Sequence, residues 1–259
     1  MQAAFIALIL LSWELSARLG ITNANLLSQP TAIIGTVVGM IFGGDVYGQT
    51  IYQHLVTTLQ ELLSGYLIGS ALGLIVGLVF ARSPLVTRVF QPYILAAYSI
   101  PKIALAPLFV MFLGIGIVSK IAIVTVGVFF MLFFNTFAGV VGVNEEYIQA
   151  ARIMGASRLR IFRQIILPAA LPAIITGFKM GVPFAMIGAI VGEFIAAFNS
   201  GIGYVIIHAT SLFDPATLFA AIFFLVLVVW VLGQIISFVE GRVLRWQPRR
   251  REDESVVSA

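Results

Sequence analysis

Six long apolar segments, separated by short polar stretches, occupy most of this 259-residue chain. They cover residues 3–19, 54–81, 91–113, 121–143, 168–197 and 216–239. An α-helix needs about 20 apolar residues to cross the ~30 Å hydrocarbon core of a bilayer. Only 10% of the residues are charged, whereas about 25% is typical of soluble domains. The sequence therefore predicts an all-α integral membrane protein with six transmembrane helices.

The first segment, residues 3–19, is short for a span. A cleaved signal peptide is the competing interpretation, but the positively charged n-region of such peptides is missing, which favours a retained helix. The following residues, 22–53, contain a moderately apolar run that predicts an interfacial helix outside the membrane. The chain divides accordingly into a terminal unit over 1–53, a membrane core over 54–240 and a charged tail over 241–259 that is predicted to be disordered at its end.

One charged island, residues 144–168, interrupts the apolar sequence. It carries four arginines and two glutamates: Arg152, Arg158, Arg160, Arg163, Glu145 and Glu146. Asn144 is a good N-cap, and the two glutamates fall in the first turn, where negative charge complements the helix dipole. Gly155 interrupts the helical pattern, and Pro168 marks the start of the next long segment. The island is therefore predicted to form two short helices at an angle.

The spacing within this island resembles the cytoplasmic loop of importer-type ATP-binding-cassette (ABC) permeases. The signature of that loop is Glu-Ala-Ala, three residues, Gly, nine residues, Ile, one residue and Leu-Pro. The matching residues are Ala150, Ala151, Gly155, Ile165, Leu167 and Pro168. Gln149 stands where the family has Glu, so an ion pair made by that Glu should be absent or shifted to a neighbouring glutamate. The segments SIPKIALAPLFVMFLGIG and FFNTFAG are also similar to permeases for nitrate, sulfonate and taurine.

This resemblance implies the transmembrane domain of a type I ABC importer in a bacterial cell membrane. In such permeases the loop docks into a groove on an ATPase subunit and transmits its motion to the membrane helices. The residues assigned to this coupling are Glu145, Glu146, Gln149, Ala150, Ala151, Met154, Gly155 and Arg158. The implied partners are a second permease subunit, most simply an identical copy, two ATPases and an extracytoplasmic solute-binding protein.

The chain itself has no nucleotide-binding motif of the G-x-x-x-x-G-K-[ST] type, so ATP and Mg²⁺ are expected on the partner ATPase. No catalytic residue, metal site, cofactor or nucleic-acid partner is predicted. Two alternatives are an ion-coupled secondary transporter or channel and an intramembrane enzyme. The first usually places several ionisable groups near mid-membrane, where the sequence suggests only Lys102 and Lys179. Against the second, His54 and His208 are predicted near the outer boundary and far apart in sequence.

The distribution of basic residues predicts the orientation of the chain. Eleven lie on one side of the predicted spans, namely Arg82, Arg88, the four arginines of the island, Arg242, Arg245, Arg249, Arg250 and Arg251, against Arg18 and Lys120 on the other. The positive-inside rule places the island and both termini in the cytoplasm.

Two spans carry features that predict how their helices pack. Gly65, Gly69, Gly73 and Gly77 recur at four-residue spacing, which returns to one face of a helix and allows a neighbouring helix to approach closely. In the third span, Pro101 and Pro107 remove backbone donors, so this span should be kinked or partly unwound.

Lys179 is the leading candidate for the transport pathway. It lies eleven residues beyond Pro168, ~16 Å along an ideal helix and near the middle of the membrane. A lysine that faces lipid at that depth costs about 2.5–3.5 kcal/mol, so it should face the protein interior or water. We hypothesise that it favours a small anionic solute, beside the weaker candidates Asn135, Met131 and Glu193. The alternative is that Lys179 reaches toward the cytoplasm or pairs with an acidic group elsewhere.

Overall fold

The computed structural model describes residues 2–21, 27–196 and 199–246. Its helices are α1 (Gln2–Arg18), α2 (Pro30–Ile41), α3 (Ile51–Arg82), α4 (Pro84–Ser99), α5 (Ala106–Leu113), α6 (Ile117–Val141), α7 (Glu145–Ile153), α8 (Arg158–Ile161), α9 (Leu167–Ile195), α10 (Ile202–Ser211) and α11 (Pro215–Val243). A 3₁₀ turn (Lys102–Leu105) precedes α5, a π-helical turn (Phe162–Ile166) precedes α9, and a hairpin of two short strands, β1 (Asp45–Val46) and β2 (Gln49–Thr50), precedes α3. The last thirteen residues of the predicted tail, 247–259, lie outside the described part of the chain.

The membrane-spanning helices agree with the predicted class. Within the described residues, α3, α6, α11 and the continuous segment Arg158–Ile195 are long and apolar enough to cross a bilayer. A bent pair formed by α4 and the 3₁₀ turn with α5 supplies a fifth span. The 17 residues of α1 extend ~25 Å, slightly less than the hydrocarbon thickness. The six predicted segments are therefore all helical, although one is short and one is broken.

The centre of the bundle is formed by α3, α6 and α9. Its buried side chains include Leu62, Val124, Val128, Leu132, Ala185 and Ala189. The glycine repeat of α3 lies directly against α6: a Cβ at Gly65 would come within 2.5 Å of the Val124 Cβ atom, and a Cβ at Gly73 within 2.5 Å of the Phe129 carbonyl oxygen. The predicted role of these glycines in close helix packing is confirmed.

The third span is sharply broken, which confirms the prediction that it is kinked or partly unwound. Its two halves meet at an angle of 85°, with Ile100 and Pro101 extended between them. Pro101 has no backbone N–H, so the break falls where a helical hydrogen bond could not form. Pro107, which was predicted to add a second irregularity, instead lies in the first turn of α5, a position that helices tolerate well.

The charged island differs from its prediction at one end. Pro168 does not begin a new segment, because the helix that starts at Arg158 runs without interruption to Ile195. The π-helical turn just before α9 provides a wider backbone turn next to Pro168, which lacks an N–H donor. The second short helix of the island is therefore the beginning of the fifth span.

The segment between α1 and α3 contains a helix, α2, as its apolar run predicts, and this helix packs against the bundle. Met40 of α2 and Val46 of the hairpin are buried in one cluster with Ile202 of α10 and Phe224 of α11. The carboxylate of Glu14 on α1 accepts hydrogen bonds from the backbone N–H and hydroxyl of Thr31, at 3.1 and 2.9 Å, and so holds the first turn of α2. These contacts tie the N-terminal helices to the last two helices of the chain.

Candidate functional site

The first helix of the island forms as the sequence predicts. The Asn144 side chain accepts a hydrogen bond from the backbone N–H of Glu146 at 2.9 Å, and two glutamates occupy the first turn of α7. Ile148 is buried and attaches α7 to the bundle, whereas Tyr147 and Met154 are exposed. Helix α7 thus presents one apolar side to the protein and another to its surroundings.

Gly155 produces the change of direction between the two helices. Its φ of +78° lies in the left-handed region, which strongly favours glycine. The N–H groups of Gly155 and Ala156 donate to the carbonyls of Arg152 and Ala151, both at 3.0 Å, and so close the end of α7. The turn leaves Ile153 and Met154 protruding, with 87% and 85% of their surface exposed.

The first and last residues of the permease loop signature lie close together in the folded chain. A shallow groove of about 650 Å³ lies between α7 and the beginning of α9. Its lining residues are Tyr147, Ala150, Ala151, Met154, Gln164, Ile165, Pro168, Ala169 and Trp246. Since the turn at Gly155 folds the second half of the island back on the first, the small residues Ala150 and Ala151 face Ile165 and Pro168 across one apolar surface. The island therefore offers a small, solid and apolar contact surface with charges at its edge.

The charged residues of the island lie around this surface. Arg152 approaches Glu145, with 3.9 Å between the guanidinium nitrogen and the carboxylate oxygen, and both side chains are exposed. Gln149 is also exposed. An ion pair of this kind contributes little stability in water, so these charges remain available to a partner.

The predicted pathway residues are not gathered around one cavity. Lys179 forms an ion pair with Glu240 of α11, and both side chains are about one-third exposed. Asn135 donates to the Met131 carbonyl at 2.8 Å and packs against Gly177, while Met131 is buried in the central cluster. The structure therefore shows the alternative stated for Lys179, a pair with an acidic group elsewhere: Glu240 lies 61 residues away on another helix.

Glu193 is completely buried and is held by other parts of the chain. Its carboxylate accepts hydrogen bonds from the Thr58 hydroxyl at 2.6 Å and from the backbone N–H of Gly203. It therefore joins α3, α9 and the first turn of α10. A role for Glu193 in the pathway stays a prediction, and its visible contacts are structural.

A buried ion pair was missed by the sequence reasoning. Lys120, which was counted outside the spans on the side opposite the island, is only 2% exposed and lies inside α6, with its Nζ 2.8 Å from a carboxylate oxygen of Glu61. A signal for the pair exists in α3, where His54, Thr58 and Glu61 follow one another at spacings of four and three residues. That spacing places three polar side chains on one face of an apolar helix.

Besides Lys120 and Lys179, Lys102 also lies within a span, at the break between α4 and α5. Its ammonium group donates to the Tyr98 carbonyl at 2.8 Å and lies 4.1 Å from the centre of the Tyr98 ring. A cavity of about 240 Å³ adjoins it, bounded by α6 and α9. The sequence places Lys102 within a span but predicts no role for it.

Comparisons with known proteins identify the family. Residues 69–246 match the model of the binding-protein-dependent transport system inner membrane component. The chain is 30% identical over 241 residues to a permease protein of Bacillus subtilis (strain 168) named for aliphatic sulfonates transport, covering 93% of this chain and 85% of that protein. It is 33% identical over 247 residues, 95% of either chain, to the formylaminopyrimidine transport permease protein of Halalkalibacterium halodurans.

Solved structures show the same fold. A chain of the methionine ABC transporter MetNI, in an inward-facing conformation, aligns with a TM-score of 0.59 at 19% identity. The alignment covers 81% of this chain and 98% of that one. The family match extends over well more than half of the sequence and includes the entire island. The chain belongs to the family of binding-protein-dependent transport system inner membrane components, the permease subunits of ABC importers.

Proposed function

We propose that this chain forms the membrane pathway of an ATP-driven importer for a small anionic solute that an extracytoplasmic binding protein delivers. The main support for the importer role is the island. It has a small apolar groove and a Gly155 in the left-handed conformation, and it lies within the residues that match the family. The proposed assembly contains two copies of this chain and two ATPase subunits, each docked on one island. The anionic solute is supported by the relative named for aliphatic sulfonates and by the uncompensated lysine described below.

The proposed docking is tested by Ala151→Glu. Ala151 is half-buried in the groove, so a glutamate there would place a charge without a partner inside the contact with the ATPase. We expect loss of ATPase from the purified complex, or at least a tenfold fall in solute-stimulated ATP hydrolysis. A tenfold effect corresponds to a loss of about 1.4 kcal/mol of interaction free energy. Co-purification and hydrolysis in proteoliposomes measure both effects.

Gln149→Glu is the matched control for this experiment. It introduces the same carboxylate two residues away, at an exposed position where the family has Glu. We expect assembly and hydrolysis to be retained or improved. Unchanged assembly and hydrolysis in Ala151→Glu would show that the groove is not the docking surface.

The proposed orientation is tested by labelling single cysteines. The chain has no cysteine, so Ser157→Cys and Ser200→Cys each carry a unique thiol. We expect a membrane-impermeant maleimide to label Ser157→Cys only after the membrane is opened, and to label Ser200→Cys in intact cells. The opposite pattern would place the island outside the cell and would exclude its contact with an ATPase.

A further inference from the structure

Lys102 lies at the depth where a charged side chain in a membrane is most costly. The cavity beside it is lined by Gly127, which is ten residues after the start of α6 and therefore ~15 Å along that helix. This distance is about half of a ~30 Å hydrocarbon core. Because a lysine at mid-membrane is strongly disfavoured against lipid, Lys102 is expected to face protein or water.

The ammonium group of Lys102 has no acidic partner in the described part of the chain. Its contacts there are the Tyr98 carbonyl, the Tyr98 ring and, at 5.0 Å, the Phe130 ring. The four ion pairs found among the described residues involve Lys120, Lys179 and two arginines, and not Lys102. A carbonyl and two aromatic faces hold the cation in position without neutralising it.

The adjoining cavity is otherwise apolar. Besides Lys102 its walls are Ile103, Ile123, Gly127, Phe184, Ile187, Gly188 and Val191. Its volume of about 240 Å³ is below the ~300–1,000 Å³ that is usual for sites of drug-sized ligands, so it suits a small solute. The two glycines border the cavity where α6 and α9 lie close together: a Cβ at Gly188 would come within 2.9 Å of the Val124 Cα atom, and one at Gly127 within 3.6 Å of the Phe184 carbonyl oxygen.

The helices on either side of Lys102, α4 and α5, have one face that no other part of the described chain covers. In α4 no residue is buried, and in α5 only Ala106 is buried. The bent pair packs on α3, α6 and α9 with one face only, and in an assembled permease its other face can border the pathway. Broken helices at mid-membrane are a recurrent way of exposing backbone and polar groups to a transported solute.

From these four observations we propose that the cavity at the α4–α5 break is a solute-binding site, in which Lys102 binds the anionic group of a small amphiphilic anion. The apolar walls from α6 and α9 take its short hydrocarbon part. The chemical class is therefore a small organic anion with a sulfonate, carboxylate or similar head. This inference rests on the proposed importer function and names its site, with Lys102 rather than Lys179 as the residue that selects for negative charge.

The site is tested by measuring the local potential with charged thiol reagents. Ile103 is 58% exposed and lines the cavity, so Ile103→Cys places a single thiol beside Lys102. The purified full-length protein in nanodiscs is reacted with a methanethiosulfonate that carries either a sulfonatoethyl or a trimethylammonioethyl group. We expect Lys102→Met in this background to lower the ratio of anionic to cationic reaction rates by about tenfold, since one nearby unit charge acts differently on the two reagents.

Lys102→Arg is the matched variant that keeps the charge. It should preserve a high ratio, whereas a ratio that falls equally in Lys102→Arg and Lys102→Met would show a structural effect and overturn the proposal. Ile187→Cys, across the cavity and 49% exposed, repeats the measurement from α9. Failure of both thiols to react with either reagent would show that the cavity is closed to water, which also overturns it.

Occupancy is tested with ethanesulfonate as the probe. We expect ethanesulfonate to slow modification of Ile103→Cys when Lys102 is present, and to have no effect in Lys102→Met. Sodium chloride at the same ionic strength controls for screening, and ethyltrimethylammonium controls for size. Equal protection by all three solutes would contradict a selective anion site. Neither labelling measurement requires an ATPase, so this result is independent of the Ala151→Glu test of the importer function.

Discussion

Lys120→Met is expected to destabilise the protein by about 3–5 kcal/mol, the usual cost of removing one partner from a buried ion pair. The substitution keeps the length of the side chain but removes its charge. The carboxylate of Glu61, itself only 1% exposed, would then lie in the bundle without a cation.

Two further variants separate the charge effect from a packing defect. In Lys120→Met/Glu61→Gln both charges are removed, and we expect the double variant to recover much of the lost stability. Lys179→Met breaks the other lysine–glutamate pair between helices, but its partners are about one-third exposed, so its effect should be about 1 kcal/mol or less. Thermal unfolding in nanodiscs compares the four proteins. A double variant that is less stable than Lys120→Met would contradict the role assigned to the ion pair.

The sequence was sufficient for those features that depend on local spacing. The glycines of α3 could be assigned to a helix contact because a spacing of four residues defines one helix face, whichever helix lies opposite. The N-cap at Asn144 and the break at Gly155 likewise depend on neighbours within a few residues. The all-α membrane class follows from the length and apolar character of whole segments, and needs no knowledge of how they pack.

The sequence was insufficient where a contact joins distant residues. Lys120 and Glu61 are 59 residues apart, and Thr58 and Glu193 are 135 apart. Lys120 was therefore counted outside the spans, although its partner on α3 stabilises it inside the bundle. The same limitation affected Lys179, whose depth was measured from Pro168 although the helix begins at Arg158 and its partner lies on α11.

Gly73→Ala is expected to separate α3 from α6 and to cost about 1–3 kcal/mol, in the range of overpacked cores. The added Cβ would lie 2.5 Å from the Phe129 carbonyl oxygen and 2.8 Å from the Leu132 Cβ atom. The first of these is a backbone atom and cannot move away by a change of rotamer. Relief therefore requires a shift of one helix relative to the other, along a contact that extends over four glycines.

Gly233→Ala is the control, because it makes the same chemical change in the spanning helix α11, where a new Cβ would meet nothing within 4 Å. Alanine is favoured over glycine in a helix interior by about 1 kcal/mol, so Gly233→Ala should be neutral or stabilising. The same propensity gain acts at Gly73 and opposes the steric cost, so the difference between the two variants isolates the helix contact. We expect the thermal midpoint of Gly73→Ala to fall below that of Gly233→Ala; equal midpoints would show that α6 can withdraw from α3 without cost, and that the glycine repeat does not hold the two helices together.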